Sequence, residues 1–341
     1  MAALRTGFVG LGWWGRELAR AASRCGGAIV PAACYSPDPS EVEDFAAQFG
    51  VDGASTFGAL LADTTIDAVV LATPHGVHAD QIVAAARAGK HIFVEKPLAV
   101  TTAEARRAVA ACAETGVRLA VGHNRRLLSQ VGLLKRLLDD GAAGRVGLVE
   151  ANYSTPEALR LPPGHWRRDP RECPGGAMTA VGVHMIDWMH VLLGRVAEAR
   201  AMFASRAAEP AMQDTATATL RFESGVLATL TCLYAAPYVN RFAIHGSTAR
   251  IAVEAAAAET EALRPVLSVS SSDGTQTRVD VPYVDTLALQ LQRFAAACQG
   301  NTAVAVSGID AARNVAVLEA IAMSAARDGT AVAPDYAGLW P

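Results

Sequence analysis

A glycine-rich motif near the start of the chain, GLGWWG at residues 10–15, has the spacing of a dinucleotide-binding loop. It follows a short apolar segment and opens a segment with helical periodicity. In such a strand–loop–helix unit the first glycine permits a tight turn, the second lets the backbone approach a pyrophosphate, and the third lets the helix pack on the strand. The helix N-terminus adds N–H donors and partial positive charge. We therefore predict that Gly10, Gly12 and Gly15 hold a dinucleotide; the alternative is a glycine-rich turn with no ligand.

The residues after the second predicted strand bear on which dinucleotide would bind. An acidic residue about 20 residues after the motif usually accepts hydrogen bonds from the ribose hydroxyls. Here that place holds Tyr35 or Ser36, and no arginine follows to attract a 2′-phosphate. Asp38 has two interpretations, a ribose ligand or a helix cap, and the cap is favoured. We predict that Ser36 contacts the cofactor, and NAD and NADP both remain open.

A lysine follows another apolar strand, in the sequence Glu95-Lys96-Pro97. Ligands bind at the carboxyl edge of parallel sheets, which is where Lys96 would lie. Partial desolvation and nearby cations lower a lysine's affinity for protons, so Lys96 can act as an acid or base near neutral pH. The alternative is a solvated surface lysine. Glu95 either pairs with Lys96 or binds the cofactor ribose.

A histidine and an aspartate lie three residues apart on one predicted helix, so they can share a face. We predict that His184 is a substrate ligand or proton relay and that Asp187 orients it or binds substrate. The alternative for each is a structural role. No third metal ligand lies at a useful spacing, and hydride transfer needs no metal, so we predict no metal site.

Further candidates lie on turns at the expected ligand-binding edge and on one arginine-rich loop. For the cofactor side these are Trp13, Trp14, Thr73, Pro74, His75, His78, Glu95 and Lys96. Simple packing or helix capping is the alternative for the tryptophans and His78. On the loop, an aromatic face suits a sugar ring and a guanidinium suits an anionic group, so Trp166 and Arg167 are predicted to bind substrate. The other arginines there are assigned to a solvated, salt-bridged surface.

The elements that must position these residues fall into two patterns. Up to residue 122, strands alternate with helices, which predicts an α/β domain with a parallel sheet covered on both faces. After it strands dominate, and a mostly antiparallel, open-faced sheet with helices on one face is predicted. The strands are expected at 4–9, 28–35, 67–73, 91–94 and 117–122, then at 145–153, 196–204, 214–222, 225–234, 239–245 and 248–253, and the later helices at 127–140, 177–193, 285–298 and 309–327. We predict a dinucleotide-binding domain at 1–122 and a substrate and oligomerisation domain at 123–341.

Composition excludes several classes of protein. Hydrophobic residues make up 51% and charged residues 18% of the 341-residue chain, the opposite of a disordered composition. The net charge of -3 gives no field that attracts nucleic acid or an anionic membrane. The 6 cysteines are scattered and form no CxxC pair, which predicts free thiols and a reducing, cytoplasmic location. No apolar run is long enough to span a membrane, and no signal peptide is expected.

Four motifs together resemble the Gfo/Idh/MocA oxidoreductases, a family named for glucose–fructose oxidoreductase, inositol dehydrogenase and a rhizopine-catabolism protein. They are GLGWWG at 10–15, ATPHGVH at 72–78, EKP at 95–97, and GGA at 175–177 with GVHMID at 182–187. The resemblance covers nearly the whole chain. It implies a Rossmann domain followed by an open-faced sheet domain, whose sheet packs against a partner subunit in a homodimer or homotetramer.

The same resemblance implies roles for individual residues. Lys96 would face the substrate's reacting oxygen with His184 beside it, the Lys96–Pro97 bond would be cis, and Arg125 would lie at the substrate pocket. The family normally has an aspartate four residues before this histidine, where this chain has Ala180. That departure puts the family's Lys–Asp–His arrangement in doubt.

Three functional hypotheses follow. In the first, the chain is an NAD- or NADP-dependent dehydrogenase acting on a sugar, polyol or related hydroxyl or carbonyl compound, with Lys96 as acid or base assisted by His184. In the second, it is a glycosidase that oxidises and re-reduces its sugar with tightly held NAD. In the third, it is a non-catalytic regulator that senses a dinucleotide; Lys96 and His184 argue against this one.

Overall fold

The computed structural model of the protein describes residues 3–300 and 302–339. Contacts divide the chain into two units, each described below by itself. The first comprises the chain up to Asn124 together with Asp285–Val315, and the second comprises Arg125–Val284 together with the chain from Ala316 onward. The division near residue 124 lies close to the predicted boundary, but the return of 285–315 to the first unit was not predicted.

The first unit is built on a six-stranded sheet in which every neighbouring pair is parallel. Its strand order, β3-β2-β1-β4-β5-β6, is that of a dinucleotide-binding doubly wound fold. The strands are β1 (Leu4–Val9), β2 (Ile29–Tyr35), β3 (Asp52–Gly53), β4 (Ala68–Leu71), β5 (His91–Glu95) and β6 (Leu119–Gly122). The predicted Rossmann fold is thus confirmed, and only the two-residue β3 was not foreseen.

Five helices connect these strands, and local sequence explains where two of them begin. The helices are α1 (Trp13–Ser23), α2 (Pro39–Phe49), α3 (Phe57–Ala62), α4 (His78–Arg87) and α5 (Thr102–Thr115). The Asp38 carboxylate accepts a hydrogen bond from the Ser40 backbone N–H, so the favoured interpretation of Asp38 as a helix cap is correct. Thr101 and Glu104 cap α5 reciprocally, satisfying two N–H groups that a helix start leaves unpaired.

The segment 285–315 joins the first unit because one of its helices has an apolar face that the parallel sheet and α1 bury. This helix, α8 (Thr286–Cys298), contributes Leu291 and Phe294, both fully buried. The ring of Phe294 lies 5.8 Å from that of Phe93 in β5, centroid to centroid. Burial of these apolar side chains stabilises the packing of α8 on the first unit.

The second unit contains an eight-stranded sheet in the order β14-β13-β12-β11-β7-β10-β9-β8. Its strands are β7 (Val146–Ser154), β8 (Val196–Ala204), β9 (Thr215–Phe222), β10 (Leu227–Leu233), β11 (Val239–Gly246), β12 (Ala249–Ala255), β13 (Val266–Ser271) and β14 (Gln276–Val279). Only β7 and β10 pair in parallel, so the predicted mostly antiparallel sheet is confirmed. The last two strands were not predicted, because their serines and charged residues give little alternation of apolar and polar positions.

Helices in the second unit include α6 (Ser129–Asp139) and α7 (Val183–Leu193), while α9 (Gly308–Ala325) begins in the first unit and ends in the second. The predicted helix at 177–193 is not uniform, because a π-helical turn at Met178–Gly182 precedes α7. Such a turn inserts an extra residue into the helical repeat and is frequent at functional sites. Trp188 of α7 packs against Phe242 of β11, with ring centroids 5.6 Å apart, and marks the helix-covered face of the sheet.

No helix in the described part of the chain is both long and apolar enough to cross a membrane. All six cysteines are free thiols. Burial raises the pKa of Cys25 and Cys34 to about 11. These two thiols are therefore protonated at neutral pH and are poor nucleophiles.

Candidate active site

The glycine-rich loop closes against the turn that follows β4. Gly10 has a φ of 85°, and a Cβ placed there would lie 2.6 Å from the carbonyl carbon of Ala72 and 2.8 Å from the backbone nitrogen of Thr73. Only glycine tolerates both the left-handed backbone and this approach. The sequence motif therefore places the two loops in contact at the carboxyl edge of β1 and β4, where the strand order reverses and such folds bind ligands.

The other two glycines of the motif have different surroundings. A Cβ on Gly15 would lie 2.1 Å from the Gly10 carbonyl oxygen, so Gly15 is required for the loop to turn into α1. A Cβ on Gly12 would meet nothing within 4 Å, although Gly12 is the N-cap of α1. Open space at a helix N-terminus bordered by glycine fits a dinucleotide pyrophosphate, and Gly10, Gly12 and Gly15 are the residues that would hold it.

The two tryptophans of the loop differ in exposure. Trp13 is 71% exposed, whereas Trp14 is partly buried and packs against the core of the first unit. Their rings lie 5.1 Å apart. The Trp14 indole N–H is buried and has no hydrogen-bond partner among residues 3–300 and 302–339, which leaves it as a donor for a ligand. Trp14 thus packs under the loop, which was the alternative to cofactor binding, whereas the ring of Trp13 is exposed at the surface of the loop.

A carboxylate does lie at the end of β2, but it comes from α2. The Ser36 hydroxyl donates a 2.6 Å hydrogen bond to Glu41 Oε2, and Ser36 is itself buried. Glu41 is in the first turn of α2, three residues after the cap Asp38. An acid was expected only close to the end of β2 in sequence, so Glu41 was not predicted. The fold places its carboxylate beside Ser36.

The turn after β4 is tied to the turn after β5 by one histidine. His78 is fully buried, with Nδ1 2.9 Å from the Pro97 carbonyl oxygen and Nε2 3.0 Å from the Thr73 carbonyl oxygen. The Thr73 hydroxyl donates to Gln81 Oε1 at 2.6 Å. His75 is also buried, its ring 5.8 Å from that of His78. The predicted residues Thr73, Pro74, His75 and His78 thus occupy one turn, in which His78 fixes backbone.

Lys96 follows β5 at the same edge of the sheet, and its bond to Pro97 is cis, as predicted. Glu95 is buried, and its Oε2 accepts a 3.3 Å hydrogen bond from the Lys96 backbone N–H. A Cβ on Gly122, the partner of Glu95 in β6, would lie 2.5 Å from Glu95 Oε1. Gly122 therefore makes room for the buried carboxylate, a requirement that no sequence motif signals.

In the second unit, Tyr153 of β7 lies beside two of the residues predicted to bind substrate, Arg125 and His184. The Arg125 guanidinium carbon lies 4.4 Å from the Tyr153 ring centroid. The His184 ring lies 6.0 Å and the Tyr238 ring 5.9 Å from the same ring. Burial raises the pKa of Tyr153, which remains a neutral phenol. Arg125 and His184 thus both lie beside Tyr153, while their predicted role in substrate binding stays a prediction. The sequence did not identify Tyr153 and Tyr238.

The carboxylate of Asp187 is engaged by a neighbouring arginine. Arg126 Nε donates a 2.9 Å hydrogen bond to Asp187 Oδ2, and Arg126 Nη2 donates to Oδ1. Asp187 is 1% exposed, so this is a buried, bidentate ion pair. The Trp188 indole N–H donates to the Arg125 carbonyl oxygen at 3.1 Å. These contacts from α7 fix the backbone of residues 125–126 and thereby the position of the Arg125 side chain.

A second polar pair lies near Arg125. Gln130 Nε2 donates a 2.6 Å hydrogen bond to Glu259 Oε1. Burial raises the pKa of Glu259, an effect that Gln130 and Arg125 oppose. Burial by itself would lower the pKa of Arg125. The neighbouring Tyr153, Tyr238 and Glu259 more than offset this effect and hold the pKa of Arg125 above its usual value. The guanidinium is therefore charged at any working pH.

Trp166 and Arg167 pair with each other on the turn Trp166–Arg168. The Arg167 guanidinium carbon lies 4.2 Å from the Trp166 ring centroid, and the His165 ring stacks on Trp166 at 5.7 Å. Their predicted role in substrate binding stays a prediction. Arg168 donates to backbone carbonyl oxygens of the surrounding loops and Arg171 binds Asp169, as expected for structural arginines. Within the described residues no group of three or more metal-ligating side chains occurs.

Comparison with known proteins identifies the family. Residues 4–123 match a model described as an oxidoreductase family with an NAD-binding Rossmann fold, and residues 131–252 match the GFO/IDH/MocA C-terminal domain. Inositol 2-dehydrogenase of Rhizobium meliloti is 30% identical over 95% of this chain and 97% of its own. The 1,5-anhydro-D-fructose reductase of Ensifer adhaerens is 31% identical over 71% of this chain and 73% of its own.

A solved structure supports the same family assignment. The WlbA dehydrogenase of Bordetella pertussis, solved with NADH and UDP-GlcNAcA, superposes with a TM-score of 0.84 and 26% identity over 97% of this chain and 98% of its own. The chain belongs to the Gfo/Idh/MocA oxidoreductase family, and a nicotinamide dinucleotide, NAD or NADP, is its cofactor.

The different surroundings of Gly12 and Gly15 predict different defects. Gly12→Val should leave the free energy of unfolding nearly unchanged but raise the Kd for NAD+ at least about tenfold, because the side chain fills the space that the pyrophosphate needs. Gly15→Ala should instead destabilise the fold by about 1–3 kcal/mol through its clash with Gly10. Urea unfolding and calorimetric titration measure the two effects. A Gly12→Val protein that binds NAD+ as the parent does would refute the loop assignment.

Proposed function

We propose that this member of the family is an NAD-dependent dehydrogenase that oxidises a hydroxyl group of a sugar or polyol, or reduces the corresponding carbonyl. One observation carries the proposal: the dinucleotide loop, the turn after β4 and Lys96 form one connected structure. Gly10 abuts Ala72 and Thr73, and His78 joins Thr73 to Pro97, next to Lys96. The names of the relatives, inositol 2-dehydrogenase and 1,5-anhydro-D-fructose reductase, support a substrate of this class.

In the proposed oxidation, the substrate hydroxyl proton passes to the Lys96 amine while the carbon–oxygen double bond forms. A nicotinamide bound at the loop would supply the acceptor for the hydride that leaves the same carbon. Lys96 is partly buried at the end of β5, and the neutral form of its amine is the one that can accept this proton. Reduction runs the same transfers backward, with Lys96 donating the proton.

His184 assists as a hydrogen-bond partner of the substrate in this proposal. His184 is buried beside Tyr153, and the residue four positions earlier in the chain is Ala180 and not an acid. A neighbouring carboxylate would stabilise the imidazolium. Since position 180 supplies no such carboxylate, we assign most of the proton transfer to Lys96.

We further propose that the cofactor is NAD and not NADP. Glu41 reaches Ser36 at the end of β2, the place where an acid binds the ribose hydroxyls in this type of fold. A carboxylate there accepts hydrogen bonds from the 2′- and 3′-hydroxyls and repels a 2′-phosphate. The departure from the usual sequence position is thus compensated by a residue from the following helix.

The outer face of the second unit's sheet is the proposed contact with a partner subunit in a homodimer or homotetramer. Its side chains include Met202, 70% exposed, and Leu227, 45% exposed, on the face turned away from α7. The interface is proposed because the family resemblance implies that this sheet packs against a partner subunit. The free cysteines are compatible with the cytoplasmic location expected from the sequence.

Removal of the Glu41 charge should weaken the preference for NAD. Glu41→Gln should lower the ratio of the Kd for NADP+ to the Kd for NAD+ about 5- to 10-fold, since one like charge beside a phosphate is worth on the order of 1 kcal/mol at a partly exposed site. Glu43→Gln, an exposed neighbour on α2, is the matched control and should leave the ratio unchanged. Titration calorimetry with both dinucleotides measures it. An unmoved ratio in Glu41→Gln would rule out selection by this carboxylate.

Removal of the Lys96 amine should abolish turnover without loss of the cofactor. Lys96→Ala should reduce kcat about a hundred- to ten-thousandfold, the usual cost of losing a positioned acid or base, while NAD+ still binds. Lys135→Ala, which breaks only an exposed ion pair with Asp139, is the control and should keep normal turnover. Steady-state rates with a panel of polyols and sugars check the effect. Near-normal turnover in Lys96→Ala would remove Lys96 from the mechanism.

The absence of an acid at position 180 predicts a secondary role for His184. His184→Asn, which keeps a hydrogen-bonding group, should reduce kcat far less than Lys96→Ala. Ala180→Asp should raise the pKa of His184, so the limb of the pH–rate profile that reports this proton should move to higher pH. Ala180→Asn adds similar volume without charge and should leave the limb in place. Equal damage from His184→Asn and Lys96→Ala, with an unmoved profile, would contradict the lysine-centred mechanism.

A further inference from the structure

One strand of the second unit carries a fully buried amide whose polar atoms are not used. Asn240, in β11, is 1% exposed. Neither its side-chain nitrogen nor its oxygen has a hydrogen-bond partner among residues 3–300 and 302–339. Native proteins satisfy nearly all buried polar groups, because leaving one unpaired away from water is costly. The side-chain N–H and carbonyl groups of Asn240 are therefore expected to form hydrogen bonds with a bound ligand.

The register of the sheet shows where this amide lies. Asn240 is directly opposite Tyr153 in the antiparallel pairing of β11 with β7, so the two side chains are on the same face of the sheet. Phe242, two residues further along β11, packs against Trp188 of α7 on that face. Asn240 is therefore a neighbour of Tyr153 and shares the helix-covered face with the Arg125 and His184 side chains that contact its ring.

A second amide in this region has one unused group. Gln130 is fully buried, and its nitrogen donates to Glu259 while its carbonyl oxygen has no partner within the described residues. Arg125 and Asn240 thus supply donors in this region, and the carbonyl oxygens of Asn240 and Gln130 are two acceptors without a partner among the described residues. A carboxylate or phosphate brings acceptors only and would leave both carbonyls unsatisfied. A hydroxyl group both donates and accepts, and can pair with either kind of atom.

We infer that Asn240 is a substrate-binding residue that selects uncharged, hydroxyl-rich sugars or polyols over sugar acids, its amide donating to one substrate hydroxyl and accepting from another. This inference rests on the proposed dehydrogenase function and names its substrate class. Discrimination arises because a site built to pair with hydroxyls rejects compounds that leave its buried groups unpaired. In the absence of substrate the unpaired amide lowers the stability of the protein, as functional groups held ready for a ligand commonly do.

Asn240→Leu tests the inference, because leucine has nearly the same shape as asparagine without its polar atoms. A purely structural asparagine would lower the melting temperature when removed. A substrate-binding one should leave the ligand-free melting temperature equal or higher, since an unpaired buried amide is replaced by an apolar group. In the same variant KM for an uncharged substrate should rise at least about tenfold, with the Kd for NAD+ unchanged. Asn152→Leu, the same substitution beside Tyr153 but on the opposite face of β7, is the matched control and should keep the parent KM.

The probes are myo-inositol, D-glucose, D-xylose and D-glucuronate, with turnover and thermal protection both recorded in the presence of NAD+. Thermal protection of the parent by an uncharged probe, lost in Asn240→Leu and kept in Asn152→Leu, supports the inference even where no turnover is seen. Turnover alone, together with Lys96→Ala, decides the proposed dehydrogenase function. The inference is overturned if protection is equal in the parent and Asn240→Leu, if only D-glucuronate or none of the probes protects the parent, or if Asn240→Leu lowers the ligand-free melting temperature without changing KM.

Discussion

The close approach of the glycine-rich loop to the backbone after β4 is the constraint on which the cofactor side of the molecule depends. Gly10 has room for no side chain against Ala72 and Thr73, and Gly15 has none against Gly10 itself. With these contacts made, the N-terminus of α1 opens onto free space at Gly12. Because His78 holds the same turn to the backbone next to Lys96, the proposed cofactor loop and the proposed acid or base are connected through one turn.

On the substrate side, Tyr153 has the comparable organising role. Its ring contacts Arg125, His184 and Tyr238, and its register partner is Asn240. An aromatic ring at the end of a buried strand provides a rigid apolar support, around which charged and amide groups can be held without pairing to one another. The sheet thus holds these polar groups at fixed spacing, and the Asn240 amide has no hydrogen-bond partner among the described residues, which is the basis of its proposed role in substrate binding.

The departures from the family pattern have different structural consequences. The end of β2 itself has no acid, but Glu41 brings a carboxylate to Ser36 from the next helix. Position 180, which has alanine in place of the acid, lies in a π-helical turn. Asp187 does not replace that acid, because its carboxylate forms a buried ion pair with Arg126. One substitution thus preserves the local charge and the other removes it, which is why the proposed chemistry centres on Lys96.

The sequence by itself determined whatever depends on neighbours along the chain. Glycine spacing predicted the dinucleotide loop, periodicity predicted the parallel and antiparallel sheets, and Asp38 was recognised as a cap because capping is local. Only the tertiary structure decided which distant groups meet. The return of α8 to the first sheet, the approach of Glu41 to Ser36 and the pairing of Asn240 with Tyr153 each join segments whose sequences carry no mark of one another. The physical reason is that local structure follows from backbone preferences and periodicity, whereas long-range contacts are selected by packing and by the pairing of buried polar groups across the whole fold.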